Sequence, residues 1–263
     1  MPPFYERYVA IGDSTTEGLD DPDGSGGYRG WANRFAETIA ARQGRLLYAN
    51  LAIRGRRTRA ILDEQLHRAL AMQPDLSTVV SGTNDVLRPR FDPDALGRDI
   101  QQMQQALVQQ GATVITFTLP DLSRVMPAAR FLAARVQLLN AVLREASAAS
   151  GAILVDVAKH EVASDPRLWS RDRLHANALG HERIAAALAH AIHLPGSDMT
   201  WADPLESDSL PPLSARVAED LAWGREHLWP WVLRRARGKS SGEGLRCKRP
   251  DLAPLHASQR AAG

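Results

Sequence analysis

The 263-residue chain is 44% hydrophobic and 24% charged, which excludes wholesale disorder and provides for one sizeable core plus an appendage. A net charge of +2 hides an asymmetry: from Gly224 onward nine Lys and Arg face three Asp and Glu, so the preceding part is net negative and the basic character belongs to the tail. A single cysteine, Cys247, excludes an intramolecular disulfide framework, and no apolar stretch approaches the roughly 20 residues needed to cross a bilayer.

The opening "MPPFYERYVAIGDS" has no basic leader followed by an apolar run and a small-residue cleavage site. With the lone cysteine, this sets the expectation of a cytoplasmic protein. Strands are predicted at Tyr8–Ile11, Leu46–Leu51, Leu76–Val80, Thr113–Thr118 and Ile153–Val157, where β-branched and aliphatic residues run together. Helical spacing fills the intervals at about Trp31–Arg42, Thr58–Met72, Asp94–Gln110 and Ala128–Ala149, and again at about Ala178–His193. Gly44, Gly111 and Gly151 each follow a helix, and Asp92 before Pro93 reads as an N-cap with proline at the first helical position. Alternation of this kind predicts an α/β fold with a five-stranded, mostly parallel sheet covered on both faces.

Ligands of such sheets bind beyond the carboxyl ends of the strands. Four of the predicted strands lead into polar loops there: "GDSTTEG", "NLAIRGRRT", "SGTND" and, after a longer excursion, "RDRLHANALGH". One edge thus receives a hydroxyl, a glycine, an amide and an imidazole.

"GDSTTEG" (Gly12 to Gly18), the "NLAIRG" stretch ending at Gly55, "GTND" (Gly82 to Asp85) and "DRLH" (Asp172 to His175) resemble, in the same order, the sequence blocks of the SGNH/GDSL hydrolase family. The likeness spans residues 8 to about 193. It implies a flavodoxin-like three-layer α/β/α fold and ester hydrolysis through a covalent acyl-serine. Thr15 departs from the family signature's leucine at a position that carries no catalytic group.

Ser14 alone could be a helix N-cap; as a nucleophile it needs a base. His175 is the candidate, because among eight histidines it has a carboxylate, Asp172, three residues before it in a turn able to fold the two side chains together. Asp165 and Asp156 are the fallback acids. The backbone amides of Ser14 and Gly55 and the side-chain amide of Asn84 are the candidate oxyanion donors. Asp13 and Asp85 are assigned to holding loops together.

Tyr28 and Trp31, beyond a glycine-rich loop, are candidate walls of the substrate pocket, with Leu122, Val125 and Met126 after the fourth strand. No metal-ligand cluster or nucleotide fingerprint is present in the sequence, so no cofactor is expected, and the partner is a small-molecule ester. The rivals are an acyltransferase using the same residues and a non-catalytic module holding an anion at a helix N-terminus.

The hydrolase domain is assigned to residues 1–195 and an extension to 196–263. Four of six tryptophans lie after residue 200. A helix is expected at about Leu213–Leu228, ended or kinked by Pro230, with a flexible chain from Gly238 onward. Its apolar stripe suits packing on the domain or self-association, and its Trp and Arg residues suit an anionic surface; no specific nucleic acid is predicted.

Overall fold

The computed structural model describes residues 4–206, 222–228 and 241–256. The chain alternates β1 (Arg7–Gly12), α1 (Ser14–Glu17), α2 (Gly30–Gln43) and β2 (Arg45–Asn50), followed by α3, a helix in three consecutive pieces, Thr58–Ile61, Leu62–Leu66 and His67–Ala71. Next come β3 (Leu76–Val80), α4 (Thr83–Val86), α5 (Pro93–Gln109), β4 (Thr113–Phe117), α6 (Ala133–Ser150), β5 (Ile153–Val155), α7 (Ala178–Ala191) and β6 (Arg249–His256). The strand order is β5-β4-β3-β1-β2-β6, with β1 to β5 parallel and β6 antiparallel to β2.

Period-two alternation divides β1 between two cores. Tyr8 and Ala10 point into a cluster with Trp31, Phe35 and Ile39 of α2 and Leu188 of α7. Val9 and Ile11 point into the opposite cluster, with Ile61 of α3, Ile100 and Met103 of α5, and Leu139 and Leu143 of α6. Both faces are therefore covered, which is why the central strands read as nearly unbroken apolar runs. Tyr8 stacks on Tyr48 with ring centroids 5.1 Å apart, and its hydroxyl is 2.8 Å from Thr78 Oγ1, so its polar end is satisfied inside the core.

Local punctuation follows its physical cause. Asp92 accepts the Ala95 N–H at 3.0 Å at the start of α5, and Gly151 closes α6 in the left-handed conformation. The segment predicted helical from Ala128 instead opens with a 3-10 stretch, Pro127–Leu132, and the α-helix starts at Ala133. In α3 the middle piece, Leu62–Leu66, is a π-turn.

The five-strand expectation is corrected to six. Residues 249–256, which fall in the tail expected to be flexible, lie along β2 with Leu46 opposite Leu255 and Leu47 opposite Pro254. Two prolines in "RPDLAPLH" disguise the strand, since proline cannot donate to a ladder; at a sheet edge that missing donor is tolerated. Trp201 also joins the main core at 8% exposure, its ring edge against His160 at 4.6 Å between centroids. Most of the predicted helix 213–228, together with Trp229, Trp231 and the basic run to Lys239, lies outside the described residues; the described piece contains a π-turn at Gly224–Leu228.

Candidate active site

β1 delivers the first functional group. Gly12 ends the strand where a Cβ would lie 2.3 Å from Thr16 Oγ1 and 2.6 Å from the Val80 carbonyl, so no side chain fits. The π-turn of α3 presents Gln65 to it: the Gly12 N–H donates to Gln65 Oε1 at 2.8 Å and Gln65 Nε2 donates to Gly12 O at 2.9 Å. Asp13, not Ser14, is the N-cap of α1, accepting the Thr15 N–H at 3.1 Å. The Ser14 hydroxyl is thereby released from capping.

Its partner comes from 161 residues further along the chain. Ser14 Oγ lies 2.8 Å from His175 Nε2, and His175 Nδ1 lies 2.6 Å from Asp172 Oδ2. A carboxylate can only accept, so Nδ1 carries the proton and Nε2 is left to accept from the serine hydroxyl. The turn holding the pair is closed by its own acid: Asp172 Oδ1 accepts the N–H groups of Leu174 at 2.9 Å and His175 at 3.0 Å. Burial disfavours the imidazolium, but the hydrogen bond and charge of Asp172, with Asp20 and Asp13 beyond, outweigh it and raise the His175 pKa above its ordinary 6.5. Burial likewise opposes the Asp172 carboxylate, yet His175 and Ser170 hold its pKa well below the usual range.

Asp20 joins this group unannounced by the sequence. It adopts φ 66° and sets Oδ2 3.8 Å from His175 Nδ1. Ser170 Oγ lies 2.7 Å from Asp20 Oδ2 and 2.6 Å from Asp172 Oδ1. A hydroxyl has one proton for two carboxylate oxygens, so the cluster is short of hydrogen and favours positive charge on the adjacent ring. Asp20, Asp172 and His175 also have ligand atoms within 4.8 Å of one another. A cation bound there would displace the Asp172–imidazole hydrogen bond, so the donor set fits an imidazole that becomes charged on taking a proton better than a resident metal.

Asn84, on α4, donates from Nδ2 to Asp13 Oδ2 at 3.1 Å and to Arg56 O at 3.0 Å, tying together the loops after β1, β2 and β3. Gly55 has φ 75°. Its neighbour Arg54 is clasped by Glu17: the Arg54 N–H donates to Glu17 Oε2 at 2.8 Å, and the guanidinium pairs with the same carboxylate. Asp85 accepts from the Thr58 N–H at 3.0 Å and its hydroxyl at 2.9 Å. Burial pushes Asp13 up to about 6 and raises Asp85. The fallback acids are engaged elsewhere, Asp156 with Arg144 and Asp165 with Arg167.

His181 accepts the Trp31 N–H on Nδ1 at 3.1 Å and bonds the Leu19 carbonyl through Nε2 at 2.9 Å. Burial depresses its pKa to about 4, which keeps the ring neutral as a brace between α7 and the loop after α1.

An apolar cavity of about 90 Å³ opens beside the centre. Thr15, Thr83 and Leu174, the chain neighbours of Ser14, Asn84 and His175, line it with Phe117, Leu122 and Ile184. Of the other residues proposed from sequence as walls, Val125 is buried and Met126 half-buried, and neither lines the cavity. Trp31 is fully buried, edge-on to Phe117 at 5.4 Å, and Tyr28 lies under the Arg54 guanidinium at 5.1 Å. The cavity is lined by chain neighbours of the triad and oxyanion candidates and not by the candidates themselves; a wider groove of about 580 Å³ between α2 and α7 is lined neither by them nor by their neighbours.

Sequence reasoning missed Glu17, Arg54, Gln65, Asp20 and Ser170. Glu17 and Arg54 carry a readable signal, opposite charges inside two neighbouring blocks; a buried Gln65 and the Asp20–Ser170 contact across 150 residues carry none.

Residues 10–183 match the model of the GDSL-like lipase/acylhydrolase family. The chain is 28% identical over 196 residues to the GDSL lipase Rv0518 of Mycobacterium tuberculosis, covering 71% of this chain and 81% of that protein. Among solved structures, the lipase/acylhydrolase of Enterococcus faecalis superposes with a TM-score of 0.59 at 22% identity, over 71% of this chain and 95% of that one. The acetylxylan esterase Axe2 of Geobacillus stearothermophilus gives 0.60 at 17%, over 75% and 96%. At those identities the structural likeness speaks for the fold.

Proposed function

Since this chain belongs to the GDSL-like lipase/acylhydrolase family, we propose that it hydrolyses carboxylic esters through an acyl-enzyme on Ser14. The observation that supports this reading is the unbroken contact Ser14 Oγ to His175 Nε2 at 2.8 Å and His175 Nδ1 to Asp172 Oδ2 at 2.6 Å. As Ser14 Oγ attacks the ester carbonyl carbon, His175 Nε2 takes the hydroxyl proton and Asp172 stabilises the imidazolium. The tetrahedral intermediate collapses, its C–O bond breaks, and the imidazolium returns the proton to the departing alkoxide. Water then attacks the acyl-serine with the same imidazole as base, and the acid leaves.

The negative oxygen of each intermediate takes hydrogen bonds from the Ser14 and Gly55 N–H groups and from Asn84 Nδ2. Both hydrogens of Asn84 Nδ2 already have acceptors, Asp13 and Arg56 O. Its contribution is therefore a shared, three-centre bond. Losing one such donor typically costs about 10² to 10³ in turnover. The acyl group occupies the apolar cavity between Thr15, Leu174 and Ile184, so an unbranched aliphatic acyl chain is the substrate side that fits it.

The decisive assay is hydrolysis of short-chain p-nitrophenyl esters by the full chain and by Ser14→Ala. The variant loses turnover and stoichiometric fluorophosphonate labelling while retaining its circular dichroism; undiminished turnover would overturn the reading. The same reading keeps a cytoplasmic setting, supported by a single cysteine that is buried, and cell fractionation checks it. No helix among the described residues is long and apolar enough to cross a membrane.

A further inference from the structure

The extension beyond the family match touches the edge where the four loops meet. Trp223 is half-buried, and its indole N–H donates to the Asp172 carbonyl at 3.0 Å. The Arg173 guanidinium carbon lies 5.3 Å from the centre of the same ring. Further along, Gly242 packs so tightly on the loop after β2 that a Cβ there would lie 2.0 Å from the Arg54 carbonyl. Lys248 Nζ donates to the carbonyls of Tyr28 at 2.9 Å and Arg29 at 2.8 Å, and β6 then pairs with β2. The extension is thus fastened to the domain on the C-terminal side of Trp223.

The peptide that Trp223 holds is a strained one. Arg173 has φ 61°, a left-handed conformation unfavourable for a residue with a Cβ. The simplest relief is a flip of the Asp172–Arg173 peptide, which would swing the Asp172 carbonyl away and disturb the carboxylate that receives the Leu174 and His175 N–H groups and His175 Nδ1. Trp223 opposes that flip by two contacts, the indole hydrogen bond to Asp172 O and the ring against the Arg173 guanidinium.

We propose that Trp223 is a positioning residue for the catalytic base, supplied by the extension: its N–H fixes the Asp172 carbonyl and so keeps the Asp172 carboxylate on His175. This rests on the ester-hydrolysis reading above. Trp223 acts through Asp172 and touches no reacting atom, so its loss lowers kcat and leaves KM nearly unchanged. The titratable groups facing His175 are Asp172, Asp20 and Asp13, with His181 of α7 held neutral by burial. Weakening the first of these lowers the imidazole pKa and carries the acid limb of the rate profile to lower pH.

The test is a double-mutant cycle in the full chain with p-nitrophenyl butyrate, using Trp223→Phe, which keeps a ring and removes the N–H, and Asp172→Asn. Trp223→Phe is expected to lower kcat about tenfold, to hold KM within about twofold, and to move the acid limb down by about half a pH unit. In the Asp172→Asn background the same change has no further effect, because the carboxylate it positions is gone. Additive losses in the cycle, or an unmoved acid limb with full kcat, would overturn the role of Trp223. If the parent chain itself does not hydrolyse the ester, the failure lies with the ester-hydrolysis reading; if Asp172→Asn alone leaves hydrolysis intact, Asp172 does not support the base and the role of Trp223 is overturned. Where Trp223→Phe lowers stability, the cycle still decides, since a structural loss adds to that of Asp172→Asn and a positioning loss does not.

Discussion

Ser14 and His175 stand 161 residues apart in the chain and 2.8 Å apart in the fold. Two parallel crossovers place β1 at the middle of the sheet, and the closed turn beyond β5 leans back over its end. The imidazole is charged more readily than a free one, because Asp172, Asp20 and Asp13 outweigh its burial. Only the neutral ring can accept the serine proton. Hydrolysis is therefore expected to rise with pH through a midpoint above 6.5, read from kcat/KM against pH. In Asp172→Asn the midpoint falls towards or below 6.5, and the plateau rate drops roughly 10³- to 10⁴-fold.

Glu17 controls a different part of the same centre. Its carboxylate receives both the backbone N–H and the guanidinium of Arg54, so it holds the Ile53–Arg54 peptide and the side chain immediately before the Gly55 N–H. Glu17→Gln keeps the size and one acceptor but removes the charge that pairs with the guanidinium. A donor that has drifted by about 1 Å stabilises an oxyanion poorly, so kcat is expected to fall about 10- to 100-fold with KM little changed. A fall in kcat/KM carried entirely by a rise in KM, with kcat untouched, would mean that the loop serves binding instead.

The parts of this molecule that were legible in the sequence are those governed by short-range rules. Continuous β-branched and aliphatic runs, buried on both faces, marked β1 to β5, and Asp92 before Pro93 marked the start of α5 within one residue. The four polar loops were legible as candidates because a parallel sheet delivers every strand end to one edge. Three things were not. β6 is held by pairing to β2 at long range, and its prolines argue against a strand everywhere except at an edge. Trp31 follows a loop rich in glycine, as a pocket wall would, but the first turn of α2 directs it into the core against Phe117. Asp20 reaches His175 through a left-handed backbone conformation that no local signal demands of an aspartate.

Two buried groups make opposed contributions to stability in mild acid. His181, depressed from 6.5 to about 4, contributes stability that is complete above pH 6.5 and is lost as pH falls towards 4. Asp13, raised from 3.8 to about 6, does the reverse: its ionised form is costly when buried, so stability grows as pH falls through 6. Between pH 7 and 5 the His181 loss amounts to about 2 kcal/mol. His181→Gln removes that loss, so the stability gap between variant and parent is expected to narrow by about 2 kcal/mol, or about 4–8 °C in Tm, across this range. Thermal melts at pH 7, 6 and 5 measure it, and a gap that stays constant would mean that His181 does not titrate as a buried neutral ring.

Chain-length preference follows from where the cavity ends. Its lining includes Thr15 and Leu174, the chain neighbours of Ser14 and His175, and also Val162, on the short 3-10 turn Glu161–Ser164. Val162 is 7% exposed and sits on a segment outside the regular helices and strands, which can yield to a larger side chain more readily than α7 can. Val162→Phe is expected to fill part of the cavity at a stability cost of about 1–3 kcal/mol. An acetyl ester does not extend far beyond the reacting carbon, so its kcat/KM should stay within about twofold of the parent. A longer chain loses the burial of each methylene it can no longer insert, about 0.8 kcal/mol apiece, or roughly fourfold in kcat/KM per methylene excluded. The measurement is the ratio of octanoyl to acetyl p-nitrophenyl ester hydrolysis in the parent and in Val162→Phe. A ratio that does not move while both proteins hydrolyse the acetyl ester would place the acyl chain outside this cavity and leave the nucleophile assignment standing.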